Sequence, residues 1–481
     1  VGDAAGDPIG EAIGEALEEG TIATRGEAFA TLRRRILRGS AWVMGGKVAT
    51  IVLGVAINSA LARLLTPNEL GAYFTTYALV VIGASIAQLG LDRAVVRFVS
   101  AAIADDDPGR ARAAIRRTLV YGGLGALTIG AILFLGLGDW LATTVFRSDA
   151  IAAVMPIAAG WLIVTALQSL LVETFRGLQR FDLSTVLDAL LVDTLSASIF
   201  GVLVLAGTGA DLEAIVLLSA GATLTITVLA AGLLLGRVRG LHGEGDVGTR
   251  ELLSYAWPLL ITNIAILLLG RGVDLWILGA YQTQADVAIY GAASRLVVFV
   301  ATPFLIVQGV TPPIVAELHQ QGRIRDMERA LRGAASIAGL PSFLVLLFFI
   351  LFGSTVMSLV YGDFYAQGAT PLVILSIGRL VAVWTGSCAV VLMMTGHQRV
   401  AMVVTISAGI LSVVSGILVA PRFGIVGVAV TTTTAQIVQN LVQLYLAHRL
   451  VGVWTHILLS PKPFFEFLTG KGLPGAKERR R

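Results

Sequence analysis

About twelve apolar runs of some 20 residues each, close to the length a helix needs to cross the hydrocarbon core of a bilayer, divide this chain from Ala41 to Ala447. Nothing constrains its fold more. In the first half the runs fall near 41–63, 71–91, 118–138, 150–172, 184–207 and 214–236, and in the second near 256–280, 288–310, 336–360, 368–394, 400–420 and 425–447. Only 14% of the 481 residues are charged, whereas soluble domains carry about 25%. Lipid rather than water is therefore the main solvent. The 54 glycines fit the same class, because glycine lets membrane helices approach closely.

The loops set an orientation. Arginines gather after every second run: Arg93, Arg97, Arg110, Arg112, Arg116 and Arg117, then Arg176 and Arg180, then Arg237, Arg239 and Arg250, and again Arg323, Arg325, Arg329 and Arg332, then Arg399. Alternate loops hold Glu69, Asp211, Glu213, Asp286 and Asp363. Cytoplasmic loops carry the excess of basic residues, so both termini are expected on the cytoplasmic side of a multi-pass protein of the cell membrane. Residues 1–40 read as a cytoplasmic tail ending in a basic amphipathic helix over 27–39, without the layout of a signal peptide, so the start of the chain is expected to be retained.

The two halves echo one another. Thr66-Pro67-Asn68-Glu69-Leu70-Gly71-Ala72-Tyr73 returns as Thr283-Gln284-Ala285-Asp286-Val287-Ala288-Ile289-Tyr290, with a threonine, an acid, an aliphatic, a small residue and a tyrosine at matching offsets. Gly177-Leu178-Gln179-Arg180 returns as Gly396-His397-Gln398-Arg399. Six runs bring the chain back to the side it left, so the halves share one orientation and are related by an axis along the membrane normal. The expected architecture is an all-α integral membrane protein of two homologous six-helix lobes, 41–236 and 256–449, around a central cavity, with a cytoplasmic linker over 237–255 and a basic tail over 450–481.

Ionisable residues inside spans are costly, about 2.5–3.5 kcal/mol on insertion scales, and face a cavity or a partner. They are Lys47, Asp188, Asp193, Arg271, Asp274, Arg295 and Arg379. Lys47 either faces the interior or reaches the membrane surface. Arg271 and Asp274, three apart, either neutralise each other or serve a site. Asp188 lies near a span end, where a solvated or capping role suits it. Arg379 is too deep in its run for either surface, which points to a cavity. In the last run Gln436, Asn440 and Gln443 share one helical face. Interhelical hydrogen bonding and a polar wall suited to a glycan are both open to them.

Other chemistry is absent from the pattern. No G-x-x-x-x-G-K-[ST] loop is present, the single cysteine Cys388 lies in an apolar run, and the five histidines have no metal-ligand spacing. No cofactor, no metal and no nucleic-acid partner are expected. The loops are too short for a soluble catalytic domain, and an integral-membrane glycan-processing enzyme stays as a second alternative.

The run ARLLTPNELGAYFTTYALVVIGASIAQLGLDRAVVRFVS, from Ala62 to Ser100, resembles the N-terminal signature of polysaccharide-export flippases in the multidrug/oligosaccharidyl-lipid/polysaccharide exporter superfamily. SYAWPLLITN, from Ser254 to Asn263, and YGDFYAQGATPLVILSIG, from Tyr361 to Gly378, resemble the same group's second half. The resemblance runs from about Leu37 to Val451. It implies a V-shaped two-lobed transporter, not an enzyme, that moves a lipid-linked oligosaccharide on a polyprenyl phosphate or diphosphate across the cytoplasmic membrane by alternating access. It also implies a cationic cavity, for which Lys47, Arg271, Arg295 and Arg379 are the substrate-binding candidates beside Gln436, Asn440 and Gln443. Membrane lipid is a further partner, with coupling to H+ or Na+, through Asp274 or Asp193, and association with glycosyltransferases or polymerases of the same pathway left open. The multidrug branch of the superfamily, whose members tend to carry an acid in the first helix, is the alternative. This chain has Lys47 there and no acid from Ala41 to Leu65.

Overall fold

The computed structural model describes residues 45–46, 48–243, 245–268, 272–309 and 311–458. Among them the chain is helical almost throughout, and nine helices are long and apolar enough to cross a membrane. We number the helices α1 (Val48–Leu64), α2 (Pro67–Ala87), α3 (Leu91–Ala104), α4 (Pro108–Val145), α5 (Asp149–Gly177), α6 (Phe181–Ala206) and α7 (Leu212–Val238) in the first half. The second half holds α8 (Thr249–Leu268), α9 (Val273–Tyr281), α10 (Gln284–Gln308), α11 (Thr311–Gln320), α12 (Ile324–Tyr361), α13 (Ala369–Thr385), α14 (Cys388–Met394) and α15 (Gln398–Val451). Dividing α15 at its bend and adding α1 and the α8–α9 pair to the nine gives the twelve spans expected. Leu135, Leu205, Leu359 and Leu418 stand 71–89% exposed on the outside of the bundle. Such a belt suits lipid contact and would be a liability in water.

The echoed octapeptides become matching helix starts. Thr66 caps α2 and Thr283 caps α10. In each a capping box forms, with the amide of Glu69 or Asp286 donating to the threonine hydroxyl while the acid's side chain accepts from the threonine amide. These two ends pack directly on each other. The Ala285 amide donates to Asn68 Oδ1 at 3.1 Å, and Thr75 Oγ1 donates to Gln284 Oε1 at 3.2 Å. Backbone approaches backbone at Gly71, where a Cβ would stand 1.7 Å from the Gln284 carbonyl oxygen. Nearby, Ser59 Oγ donates to the Val360 carbonyl at 2.5 Å and Phe146 meets Trp276 edge-on. This end of the bundle is closed.

At the opposite end, bearing the arginine-rich loops, the halves meet through α8. Asn263 Nδ2 donates to both carboxylate oxygens of Asp92, at 3.2 and 3.3 Å, and the Arg97 guanidinium lies 4.2 Å over the Tyr255 ring. The loop before α8 adds Arg117 to Asp246 at 2.7 Å.

Left-handed glycines interrupt two of the expected runs of the second half. The run 256–280 is interrupted at Gly272, which takes φ +100° with no room for a Cβ against Ala78. The run 368–394 is broken at Gly386, with φ +75°. Runs eleven and twelve are two helical arms, labelled together as α15 and separated at Gly424 (φ +56°), within the turn expected between 420 and 425. The first two breaks fall inside stretches whose flanking residues are still long and apolar enough to read as one span, which hides them from a hydropathy reading. The linker is also shorter than 237–255, since α7 runs to Val238 and α8 begins at Thr249. The tail boundary at 450 falls inside α15. The expected helix over 27–39 lies outside the described residues.

Candidate functional site

Midway between the two ends, a cavity of about 370 Å³ opens between the halves. Its walls come from α2, α9, α10, α13 and α15. The first half contributes Tyr77, Ala78 and Val81, whereas Asp274, Arg295, Arg379, Thr432 and Gln436 all come from the second.

Arg379 is surrounded by protein yet exposed, because its accessible surface opens into this cavity. Among the described residues its guanidinium makes no hydrogen bond and no ion pair, although the Asp274 carboxylate attracts it across the cavity. Asp274 is held otherwise: Tyr290 donates its hydroxyl proton to Oδ2 at 2.7 Å, and the Leu275 amide donates to Oδ1 at 3.0 Å. That second bond places the carboxylate at the start of α9, where a helix N-terminus favours negative charge. Arg295 also lines the cavity but is partly engaged. One of its nitrogens donates to the Gly291 carbonyl at 2.9 Å, and its guanidinium lies 3.7 Å above the Phe74 ring of α2, so it fastens α10 to α2 by a cation–π contact.

The other expected site residues are placed differently. Gln436 lines the cavity. Asn440 does not: its amide donates to the Gln436 carbonyl at 2.8 Å. Gln443 is buried and donates to Thr405 at 3.2 Å, as Gln439 does at 3.1 Å. Thr405 lies in the first arm of α15, brought alongside by the fold at Gly424, so these amides join the arms rather than wall the cavity. Asp193 sits on α6 and is not among the lining residues. Lys47 and Arg271 lie outside the described residues, and with Arg271 goes any geometry for its pairing with Asp274. Among the described residues no group of three or more His, Cys, Asp or Glu is placed to hold a metal ion.

Tyr290, Ser294, Thr432 and Tyr77 belong to the cavity or its support and were not singled out from sequence as site residues. Tyr290 had been visible only as a marker of the repeat. The four consecutive threonines from Thr431 were the nearest signal for Thr432. Taken together, the cavity offers one cation without a hydrogen-bonding partner among the described residues, one carboxylate already held, and several hydroxyl and amide groups. Such a set of groups is able to pair with an anion and to hydrogen-bond polar substituents on it.

The family described as polysaccharide biosynthesis protein matches residues 36–319. The chain belongs to that family. A comparison with curated protein sequences finds no match. Among solved structures, the chain is similar to an inward-facing multidrug resistance MATE family transporter of the MOP superfamily (14% identity, 84% of this chain and 94% of that one, TM-score 0.69). It is equally similar to the lipid II flippase MurJ in an inward closed conformation (11% identity, 90% of each chain, TM-score 0.69). A MOP superfamily transporter from Pyrococcus furiosus, described as having a binding pocket of reverse polarity, matches at 15% identity over 87% of this chain and 95% of that one, with a TM-score of 0.56. At these identities the likeness is one of fold: the chain has the helical membrane architecture of the MOP superfamily.

Proposed function

We propose that this protein is a flippase that moves a lipid-linked oligosaccharide, carried on a polyprenyl phosphate or diphosphate, across the cell membrane by alternating access. The observation that carries the reading is Arg379, a cation deep in a membrane bundle whose guanidinium opens into the inter-half cavity without a hydrogen bond or ion pair among the described residues. A guanidinium in that setting matches phosphate bidentately and keeps its charge. Ser294, Thr432 and Gln436 supply the hydroxyl and amide partners that a sugar takes. Family membership supports a polysaccharide cargo, and the likeness to a lipid II flippase supports a fold able to move one. The inner ends of the halves then separate and close while the capping-box end does the reverse.

A second reading, a multidrug or cation antiporter, is favoured by one observation: the cavity also holds Asp274. The two readings separate in cells lacking the gene. A flippase leaves the lipid-linked precursor made but the surface glycan missing. Toxin sensitivity with glycans intact supports the antiporter, and loss of the precursor itself supports an enzyme.

The orientation that goes with this reading puts the capping-box end outside and both termini in the cytoplasm. In a Cys388→Ala background, an impermeant thiol reagent added to sealed cells should label Glu69→Cys and Asp286→Cys and spare Arg112→Cys and Arg329→Cys. Labelling of Arg112→Cys would reverse the orientation.

A further inference from the structure

Helix α13 carries Arg379 and ends six residues later at Thr385, inside the bundle. The last four carbonyls of a helix have no partner within it, and in a membrane protein each must find one from elsewhere in the protein. All four can be accounted for. The Ala382 carbonyl accepts from Thr385 Oγ1 at 3.0 Å and the Val383 carbonyl from the Gly386 amide at 3.1 Å. The other two are met by a segment remote in sequence. The Trp384 carbonyl accepts from the Ile457 amide at 2.9 Å, and the Thr385 carbonyl from Thr455 Oγ1 at 2.5 Å.

That segment, 452–458, follows α15. Gly452, with φ +79°, turns the chain, and residues 453–458 run back over the broken end of α13. Val453 and Thr455 have no exposed surface. Gly386 is where the strap presses closest, since a Cβ there would stand 2.2 Å from the Thr455 carbonyl oxygen. The strap is pinned on its other side by α12, with the Leu458 amide donating to Ser336 Oγ at 2.9 Å and Arg332 Nε to the His456 carbonyl at 3.3 Å. Trp454 stacks on His448 of α15, with ring centroids 4.0 Å apart. Three helices of the second half are thus tied together at the open end of α13.

We propose that residues 452–458 are a positioning strap for Arg379, capping the broken end of α13 so that its guanidinium is held at the height and angle at which it meets the cargo's phosphate. The proposal rests on the reading of Arg379 given above. A helix rises about 1.5 Å per residue, so the capped end lies roughly 9 Å along the axis from Arg379. Rigid helix between the two transmits any change of tilt. Thr455 is the key positioning residue, because its hydroxyl is the donor to the terminal carbonyl.

The full chain carries its own reporter for the strap: Cys388, its single cysteine, is buried three residues past Thr385. Reconstituted in vesicles, Thr455→Val should label at Cys388 with a permeant maleimide faster by roughly fivefold, the weight of one lost hydrogen bond. It should raise the half-saturating concentration of a fluorescent polyprenyl-diphosphate disaccharide by a similar factor at nearly unchanged maximal flux. Thr455→Ser should restore both. In an Arg379→Lys background, Thr455→Val should still speed labelling but no longer change half-saturation, because the two residues act in series. Unchanged Cys388 labelling overturns the capping role. Faster labelling with unaltered half-saturation, or an equal added loss in the Arg379→Lys background, overturns positioning. Should the parent protein not move the probe, the flippase reading fails by itself. The strap is then judged by labelling of Arg379→Cys in a Cys388→Ala background, where Thr455→Val must change the rate if the strap holds that position, and an unchanged rate overturns it.

Discussion

Helices α2 and α10 begin alike and end in different work. Each starts with a threonine capping box, and each carries a tyrosine seven residues after that threonine. The Tyr73 hydroxyl of α2 meets Ser219 of α7 at 3.2 Å, a bond within the first half. The Tyr290 hydroxyl of α10 donates to Asp274 beside the cavity. One turn on, the same register places Ala78 on α2 and Arg295 on α10. The frame of the repeat has been kept where the halves touch and has diverged where they face the cavity. Among the described residues, charge lines the cavity on one side: Asp274, Arg295 and Arg379 belong to the second half, and the first half supplies an aromatic and aliphatic face. A phosphate would therefore be held by the second half while the first half closes over it.

The most direct way to break that comparison is to remove the charge. Arg379→Ala should cut transport of a lipid-linked oligosaccharide in vesicles by roughly ten- to a hundredfold, since a hydrogen bond to a charged group is worth about 1.5–3 kcal/mol. Expression and folding should be retained, because Arg379 makes no hydrogen bond or ion pair to described residues. Arg379→Lys should recover part of the flux, keeping charge but losing the bidentate fork. The control from the other wall, Val81→Ala, should leave flux within about twofold, a loss of one apolar contact of less than 1 kcal/mol where the side chain faces a cavity. Equal losses from the two walls would end the assignment of the cargo's phosphate to the second half.

Next in size are the glycines where the echoed helices touch. A methyl at Gly71 would meet the Gln284 carbonyl oxygen, and neither backbone can give way. Gly71→Ala should therefore force the capping-box ends apart, at about 1–3 kcal/mol, or roughly five- to a hundredfold in the closed population. The equivalent approach from the other helix is softer. A methyl at Gly291 would stand 2.3 Å from the Phe74 ring, a side chain that can turn, and the cost should fall on the Arg295 cation–π contact instead. Cross-linking of Asn68→Cys to Ala285→Cys in a Cys388→Ala background measures both. It should fall steeply in Gly71→Ala and modestly in Gly291→Ala. The reverse order would mean that the halves are held by Arg295 and Phe74 rather than by backbone contact.

What could be read from sequence divides along the same line. Capping boxes are local chemistry, so the echo of Thr66 and Glu69 in Thr283 and Asp286 translated directly into two matching helix starts. A charge in the middle of an apolar run has few places to go, and Arg379, Arg295 and Asp274 do line the cavity. Amide spacing was less informative. Gln436, Asn440 and Gln443 share a helical face, but that face is shared between the cavity and the other arm of α15; Pro421 and Arg422 mark the turn in sequence, whereas the pairing with Thr405 across it has no such mark. The breaks at Gly272 and Gly386 are hidden because the flanking apolar residues still add up to one span in each run, and it is the left-handed backbone that marks them. The strap over 452–458 reads in sequence as the start of a tail, because the donors that meet α13 are one hydroxyl and one amide with no periodic pattern.

The smallest expected effect is the sharpest test of divergence between the repeats, since it removes the same atom from matching positions. Tyr73→Phe deletes a hydroxyl whose partner, Ser219, also donates to the Ile215 carbonyl at 2.8 Å and so keeps a hydrogen bond. The loss should be about 0.5–1.5 kcal/mol of stability, the net value of one hydrogen bond, with the half-saturating concentration of cargo unchanged. Tyr290→Phe deletes the donor to Asp274 Oδ2, leaving that carboxylate to backbone amides, with the Leu275 amide on the other oxygen. A carboxylate so released is a better counter-charge for Arg379, which shares the cavity, and it then competes with the cargo's phosphate for the guanidinium. Tyr290→Phe should accordingly weaken cargo binding by about three- to tenfold, on the same hydrogen-bond scale. Asp274→Asn in the same chain should reverse the loss, because the competing charge is gone. Thermal unfolding and substrate titration of the two tyrosine variants side by side settle the matter. A binding loss in Tyr73→Phe equal to that in Tyr290→Phe would show that both halves hold the cargo alike.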